Sequence, residues 1–377
     1  MRTQADKEDL DIRVISSSNE IAQMESDWNA LVKTSCDNPF LLSEFARQIA
    51  NSKLSTGWAP LVLIMSASDN IVGISPFMTK MKFGVRFVKF VYRSTLSPDF
   101  ITFDQHREAC IARTLEFLFK TLKCKFADFS LPVESPNFRI LKQQCKANKI
   151  QLWTTCEMGH RILPVNCTWN EFESMKRKNF RSQYKKIRRK LDKAGSWKIT
   201  CSTADEGNYA VKKILDVEEK SWKEAWRTKQ GKKTDAALMT IIKAMQQTAA
   251  IEPTFKWNVW FLELNQHKLA YLLVLQYKEV AFLTKTSYDK KYSEFYPGSY
   301  LRHAVIRDLF NGGRVKSIDF LTDLPHQRTW TPVCLPRVKV RLAKGVLPTI
   351  LESTFVNDFL TKSGPRLYGR LPFHLSP

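Results

Sequence analysis

Apolar positions along the chain recur with two periods, one near two residues and one between three and four, and the alternation between them lays out the elements. Ile12–Ile15 reads as a short strand. Ser18 or Asn19 can cap a helix whose inward face is Ile21, Met24, Trp28 and Leu31. Asn38-Pro39 breaks it, and Ser43 starts a second helix. Three strands follow at Leu61–Met65, Ile71–Met78 and Val85–Val91, the first two separated by Asp69-Asn70. A helix from about Arg107 to Lys123 then turns Ile111, Leu115, Leu118 and Leu122 inward. Phe126–Leu131 is the next strand, Ser135-Pro136 opens another helix, and Gln151–Thr155 closes the first half.

The second half repeats this order. Trp257–Leu264, Lys268–Gln276 and Val280–Ser287 form a three-strand meander whose first turn is Asn265-Gln266-His267. Tyr296-Pro297-Gly298-Ser299 then opens a helix with Leu301, Val305 and Leu309 at helical spacing, stopped by Asn311-Gly312-Gly313. Val315–Leu321 alternates as a strand, with Ile318 and Phe320 on one face and Asp319 on the other. Three strands, a helix and a strand thus occur twice, near 61–131 and 257–321.

A helix start with a small Gly-Ser pair presents bare N–H groups and a positive dipole end, a seat for a coenzyme's pyrophosphate. The first copy begins its helix near Asp104-Gln105-His106, without glycine and with an acid, so an anion there is opposed by charge.

The 377 residues suggest two domains, and a composition of 44% hydrophobic and 25% charged residues is that of a folded protein. The net charge of +22 changes the picture, because it favours anionic partners: nucleic acid, an anionic membrane, an acidic carrier protein or phosphorylated ligands. Eight scattered cysteines without a CxxC pair or histidine cluster argue against a zinc site or disulfide framework and for reduced thiols in a cytoplasm. Met1 to Asp11 lacks the apolar stretch of a signal peptide, and no run approaches the ~20 apolar residues of a membrane span.

Much of the charge is concentrated between the halves. From Met175 to Lys193, ten of nineteen residues are Lys or Arg and only Asp192 is acidic. Phe180, Tyr184, Ile187 and Leu191 form an apolar stripe on this basic helix. Three readings stay open for it: a solvated face over a buried stripe, a dock for an acidic acyl carrier or anionic lipid, and a nucleic-acid surface, the last without a supporting motif. From Val346 onward, Pro348, Gly364, Pro365, Gly369, Pro372 and Pro377 suggest an irregular tail.

Lys285-Thr286-Ser287-Tyr288-Asp289, Tyr292, Tyr296-Pro297-Gly298, Leu301, Ile318-Asp319-Phe320 and Trp330 resemble the CelD-type acetyltransferase family of the GNAT superfamily, related to FemAB-like double-GNAT proteins. Glu218 with Ser221-Trp222-Lys223 is similar to its Glu-x-x-Ser-Trp-Lys signature, and Asp323 departs from a glycine common there. The resemblance implies an α+β fold of two tandem GNAT-like domains, each a mostly antiparallel sheet flanked by helices. The first, degenerate, would span 11–160; the second, catalytic, 161–345 with the basic helix 175–193; a tail would cover 346–377.

The resemblance further implies an acyltransferase that takes an acyl group from acyl-CoA, or from an acyl carrier protein, to an amine on a sugar- or lipid-linked acceptor. Such enzymes serve cellulose, exopolysaccharide or lipid synthesis. No metal is implied, and a cytoplasmic place, peripheral at the inner face of the membrane, fits. The seat would be Tyr296, Pro297, Gly298, Ser299 and Tyr300, with N–H groups of Gly298, Ser299 and Tyr300 on the pyrophosphate.

Acyl transfer to an amine needs a proton acceptor and a donor to the leaving group. Glu218 and Asp319 are the candidate acceptors, though each could instead cap a turn or pair with Lys or Arg, and Tyr288 is the candidate donor to the thiolate. Trp222, Lys223, Asp289 and His303 complete the candidate substrate contacts, against plain packing, solvation, turn and structural roles. Two alternatives remain: a non-catalytic basic protein that binds nucleic acid or anionic membrane, and FemAB-like aminoacyl transfer from tRNA.

Overall fold

The computed structural model of the chain describes residues 10–82, 84–203, 206–221 and 233–344. Its strands join into a single sheet. β1 (Asp11–Ile15), β2 (Ala59–Ala67), β3 (Asn70–Lys82) and β4 (Val85–Phe90) form antiparallel neighbours, with the short β5 (Ile101–Thr102) beside β3. β8 (Trp197–Thr203), β9 (Phe255–Leu264), β10 (His267–Tyr277) and β11 (Val280–Tyr288) do the same in the second half. Each meander turns its central hairpin on two consecutive left-handed residues, Ser68 and Asp69 in one and Asn265 and Gln266 in the other, the turn that matches strand twist.

The two halves interlock. β6 (Phe126–Pro132) runs parallel to β4, and β12 (Ser317–Asp319) parallel to β11. β7 (Gln151–Pro164) then pairs with β12, while β13 (Cys334–Ala343) pairs with both β6 and β7. The order β1-β2-β3-β4-β6-β13-β7-β12-β11-β10-β9-β8 therefore reads alike from either edge, each half lending its last strand to the other. The repeated architecture read from the sequence is present.

The boundary expected between residues 160 and 161 falls inside β7. That strand runs on nine residues past the expected Thr155, because partners on both sides satisfy the backbone of its polar stretch. β8 and β13 are additions to the elements read from the pattern. The expected strand 315–321 is shorter, and the expected tail 346–377 lies outside the described residues.

Helices cover both faces. α1 (Ser18–Gln23), α2 (Glu25–Ser35) and α3 (Ser43–Leu54) share one face with α8 (Gly207–Glu219) and α9 (Lys233–Ile251), over Tyr271, Leu273, Leu275 and Phe282. α1 starts on a capping box, with the Ser17 hydroxyl accepting from Glu20 N–H and the Glu20 carboxylate reaching back. α3 and α9 meet across the halves, where Gln48 Nε2 donates to Gln247 Oε1 at 2.7 Å.

On the opposite face α4 (Arg107–Glu116) and α5 (Pro136–Ala147) cover the first half. α4 runs on through a π turn, Phe117–Thr121, where one straight helix was expected. α6 (Trp169–Met175), α7 (Lys178–Ala194) and α10 (Pro297–Asn311) cover the second half over Leu272, Val274 and Leu283. The basic helix expected over 175–193 is α7, preceded by a break at Lys176 and Arg177, both extended.

Gly159 marks the tightest point of the strand exchange. A Cβ there would lie 2.5 Å from the Leu335 carbonyl oxygen and 3.1 Å from Cys334 Sγ. Gly159→Ala is expected to cost about 1–3 kcal/mol, read as a lowered midpoint in thermal unfolding. An unchanged midpoint would show that β7 and β13 are not packed this closely.

Candidate active site

The feature that sets the site is a parting of strands. The β11–β12 ladder begins at Val280–Ser317 and ends at Phe282–Asp319. β12 is held by β7, and this pairing continues past Asp319 as Phe320 N–H donates to Arg161 O and Arg161 N–H to Thr322 O. β11 instead follows β10 to Tyr288, so from Leu283 onward its other edge pairs with no described strand.

A bulge falls at this fork. Leu273 faces Lys285 and Val274 faces Leu283, leaving Thr284 as the extra residue, and its hydroxyl donates to Leu273 O at 3.0 Å. The bulge shifts the alternation and brings Lys285 to the face of Tyr271 and α8. There Glu218, 1% exposed, accepts from the Tyr271 hydroxyl, and Lys285 Nζ lies 3.9 Å from its Oε1. The Ser287 hydroxyl is buried on the same strand with no hydrogen-bond partner. Glu218, Tyr271 and Lys285 thus come from α8, β10 and β11 to one point; the sequence pattern had named Glu218 as a candidate acceptor and Lys285 only within the family-like motif. The bulge hides the face that Lys285 takes, and Tyr271 reads locally as one more core position of β10.

Asp319 behaves differently. Its Oδ1 accepts from Leu321 N–H at 2.6 Å, and His160 Nδ1 lies 2.9 Å from Oδ1 and 2.7 Å from Oδ2. Both oxygens are therefore engaged in holding β7 to the turn at Leu321, whose φ is +58°. As an acceptor for a substrate proton it is the weaker of the two carboxylates. Ile318 and Phe320 do turn to the α10 face, away from it.

The far end of β11 leads to the helix start. Asp289 N–H donates to Leu269 O, its Oδ1 accepts from Lys291 N–H at 2.9 Å, and Lys290 N–H donates to Lys220 O. Asp289 is thus a turn former that ties the end of α8 to the end of β11. Tyr296 takes a left-handed conformation, φ +47°, and Pro297 opens α10. The amides of Ser299 and Tyr300 both donate to Tyr296 O at 3.0 Å, which corrects the expected trio of bare N–H groups. They belong to the first turn of the helix, and Gly298 N–H alone is left without an acceptor among the described residues.

The neighbouring side chains are placed by packing. Gly298 faces Tyr288, whose Cδ1 would lie 3.5 Å from a Cβ there, so the Tyr288 ring flanks the seat. Ser299 lies near the Tyr184 hydroxyl of α7, Tyr300 is buried edge-on to Trp197, and Tyr296 is 58% exposed.

His303, one turn further along α10, stacks on Tyr184 at 3.8 Å and lies edge-on to Trp169 at 5.1 Å, on the sheet face away from α8. Burial among these rings, with Arg307 nearby, lowers its pKa to about 4. This enclosure agrees with the structural role weighed against a substrate contact for His303. Trp222 and Lys223 lie outside the described residues. Among the described residues no three His, Cys, Asp or Glu side chains are grouped to hold a metal, and no helix is long and apolar enough to cross a membrane.

Residues 178–328, from α7 to past β12, match the acetyltransferase (GNAT) domain family. No curated protein sequence matches the chain. Among solved structures it is similar to a conserved protein of unknown function from Bacteroides thetaiotaomicron, at 12% identity and TM-score 0.56, covering 88% of this chain and 100% of that one. It is also similar to the C-terminal domain of a protein named as a lysylphosphatidylglycerol synthetase from Agrobacterium fabrum (9% identity, TM-score 0.54, 90% and 97% covered). The L-PGS of Bacillus licheniformis is a third (7% identity, TM-score 0.52, 89% and 96% covered). At these identities the likeness is one of fold.

His303 gives a pH prediction. Its folded pKa is depressed below the unfolded value, so the unfolded chain binds more protons between about pH 4 and 6.5. The stability it contributes is complete above about 6.5 and lost as pH falls through about 4. His303→Phe is expected to flatten this part of the stability–pH curve in thermal unfolding. A ring that titrates near its ordinary value by NMR would contradict the packing described.

Proposed function

We propose that the chain is an N-acyltransferase that moves an acyl group from a thioester, with acyl-CoA as the simplest donor, to an amine on a sugar- or lipid-linked acceptor. One observation carries the reading: the open edge of β11 leads from the buried Glu218 group to the start of α10. An extended pantetheine arm fits such an edge by main-chain bonds, as an added strand does. The donor's phosphates then fall at Gly298 N–H and the positive end of a fifteen-residue helix.

In this reading Glu218 takes a proton from the acceptor ammonium, and the neutral amine attacks the thioester carbonyl. The C–N bond forms, the C–S bond breaks, Tyr288, beside the seat, gives its proton to the thiolate, and the proton that the new amide nitrogen loses restores Tyr288. Lys285 Nζ, 3.9 Å from Glu218 Oε1, sets a positive charge beside the carboxylate. Asp289 fixes the turn, and Tyr296, Pro297, Ser299 and Tyr300 shape the seat by conformation and packing. Trp222 and Lys223, which follow the Ser221 bridge to Asp289, are assigned to the acceptor from the sequence pattern. A cytoplasmic role in polysaccharide or lipid synthesis agrees with this chemistry.

The test is thiol release from acetyl- to hexadecanoyl-CoA with amino sugars and lipid amines as acceptors. Glu218→Gln is expected to lower kcat by about 10²–10⁴ while leaving the thioester KM and the unfolding midpoint near the parent values. Asp319→Asn is expected to lower the midpoint, since it disturbs the His160 contact. No thiol release with any pair, or a Glu218→Gln variant of full activity, overturns the reading.

A further inference from the structure

The outward face of α7 carries charge that the described residues leave unbalanced. Arg181, Lys185, Lys186, Arg188, Arg189 and Lys193 are exposed, and none forms an ion pair among the described residues. The helix's one acid, Asp192, accepts from Trp197 Nε1 at 2.8 Å. Tyr184, Ile187 and Leu191 are buried beneath, so the helix is anchored and its cations point to solvent.

This face flanks the seat. Lys190 Nζ reaches Glu294 O, in the turn before α10, at 3.3 Å, and the Tyr184 hydroxyl lies near Ser299. The seat offers one bare amide, at Gly298. Free coenzyme A presents a diphosphate and a further phosphate, whereas a phosphopantetheine arm carried on a protein presents a single phosphodiester. One amide and a helix dipole match the second better than the first.

The chemistry of the face narrows the partner. Its outward positions hold no apolar side chain to enter a bilayer, which amphipathic membrane helices require. Phe180 and Tyr184, the aromatics that interleave with the charges in sequence, turn inward against Trp330 and His303 and give no stacking platform. A compact acidic protein needs neither.

We infer that the acyl group arrives on an acidic acyl carrier protein, which docks on α7 and passes its phosphopantetheine arm along the open edge of β11. The inference rests on the thioester reading above and names its donor. Docking through α7 would set the on-rate by charge and fade with salt.

The experiment compares a purified holo-acyl carrier protein, loaded with acetyl or hexadecanoyl chains, with the matching acyl-CoA. Its variant is Lys186→Glu/Arg189→Glu/Lys193→Glu on the full chain. KM for the carrier-bound donor is expected to rise about tenfold, with kcat and acyl-CoA kinetics unchanged. Equal effects on both donors, or none on either, overturn the inference. If no donor is turned over the thioester reading fails by itself, and calorimetry with the holo-carrier still decides the docking. Binding lost in the triple variant upholds it; no binding overturns it. Binding of tRNA or phosphatidylglycerol vesicles in place of the carrier, abolished by the same variant, also overturns it.

Discussion

β7 pairs with β12 and so decides where β12 goes. A parallel pair such as β11–β12 would ordinarily run on as far as both strands extend, but here the backbone beyond Asp319 finds its partners at Arg161 instead. β11 is left from Leu283 onward with an edge that no described strand shares, and the elements of the candidate site follow from that edge. Arg337 reinforces the arrangement from within: it is 1% exposed, and its guanidinium donates to Leu321 O at 2.8 Å and to Ser94 O. Ser94 belongs to the first half and Leu321 to the second, so one side chain fastens the loops of both beside the fork. A buried cation must be satisfied in this way to be tolerated.

The same architecture serves the two halves differently. β4 and β6 form the counterpart parallel step at Phe87–Phe126 to Lys89–Asp128. There the loop after the meander receives Arg337 at Ser94, and α4 starts beside Asp104, which is ion-paired with Arg107. An acid stands where the second half has a glycine amide. The first half has the frame of the site, while its corresponding loop is spent on holding the molecule together.

Much of the frame was legible because it is written in local pattern. The meanders, their turns at Asp69 and Asn265, and the Pro297 helix all arise from alternation, turn residues and caps. β13 and the length of β7 were not legible, since their pairing is with strands far away in sequence and Gly159-His160-Arg161 reads locally as a loop. The site divided in the same way. Glu218 and the Gly298 helix start stood out by residue type, but Lys285 joins Glu218 only through a bulge at Thr284, which no composition signals, and Tyr271 only because α8 packs on β10. His303 drew attention as a rare histidine near a helix start, while the rings that enclose it, which agree with the structural role weighed for it, come from α6, α7 and the segment at Trp330.

The exchange of end strands also bears on how the molecule is made. β6 meets β13 from Arg337–Pro132 to Ala343–Phe126, so an inner edge of the amino-terminal half stays bare until the ribosome has released residues 334–343. Contacts so distant along the chain carry a heavy loop-closure cost and slow assembly. A nascent chain of this kind spends most of its synthesis with a sticky strand border uncovered, which makes it a natural client for chaperones and a poor subject for trimming into separate halves.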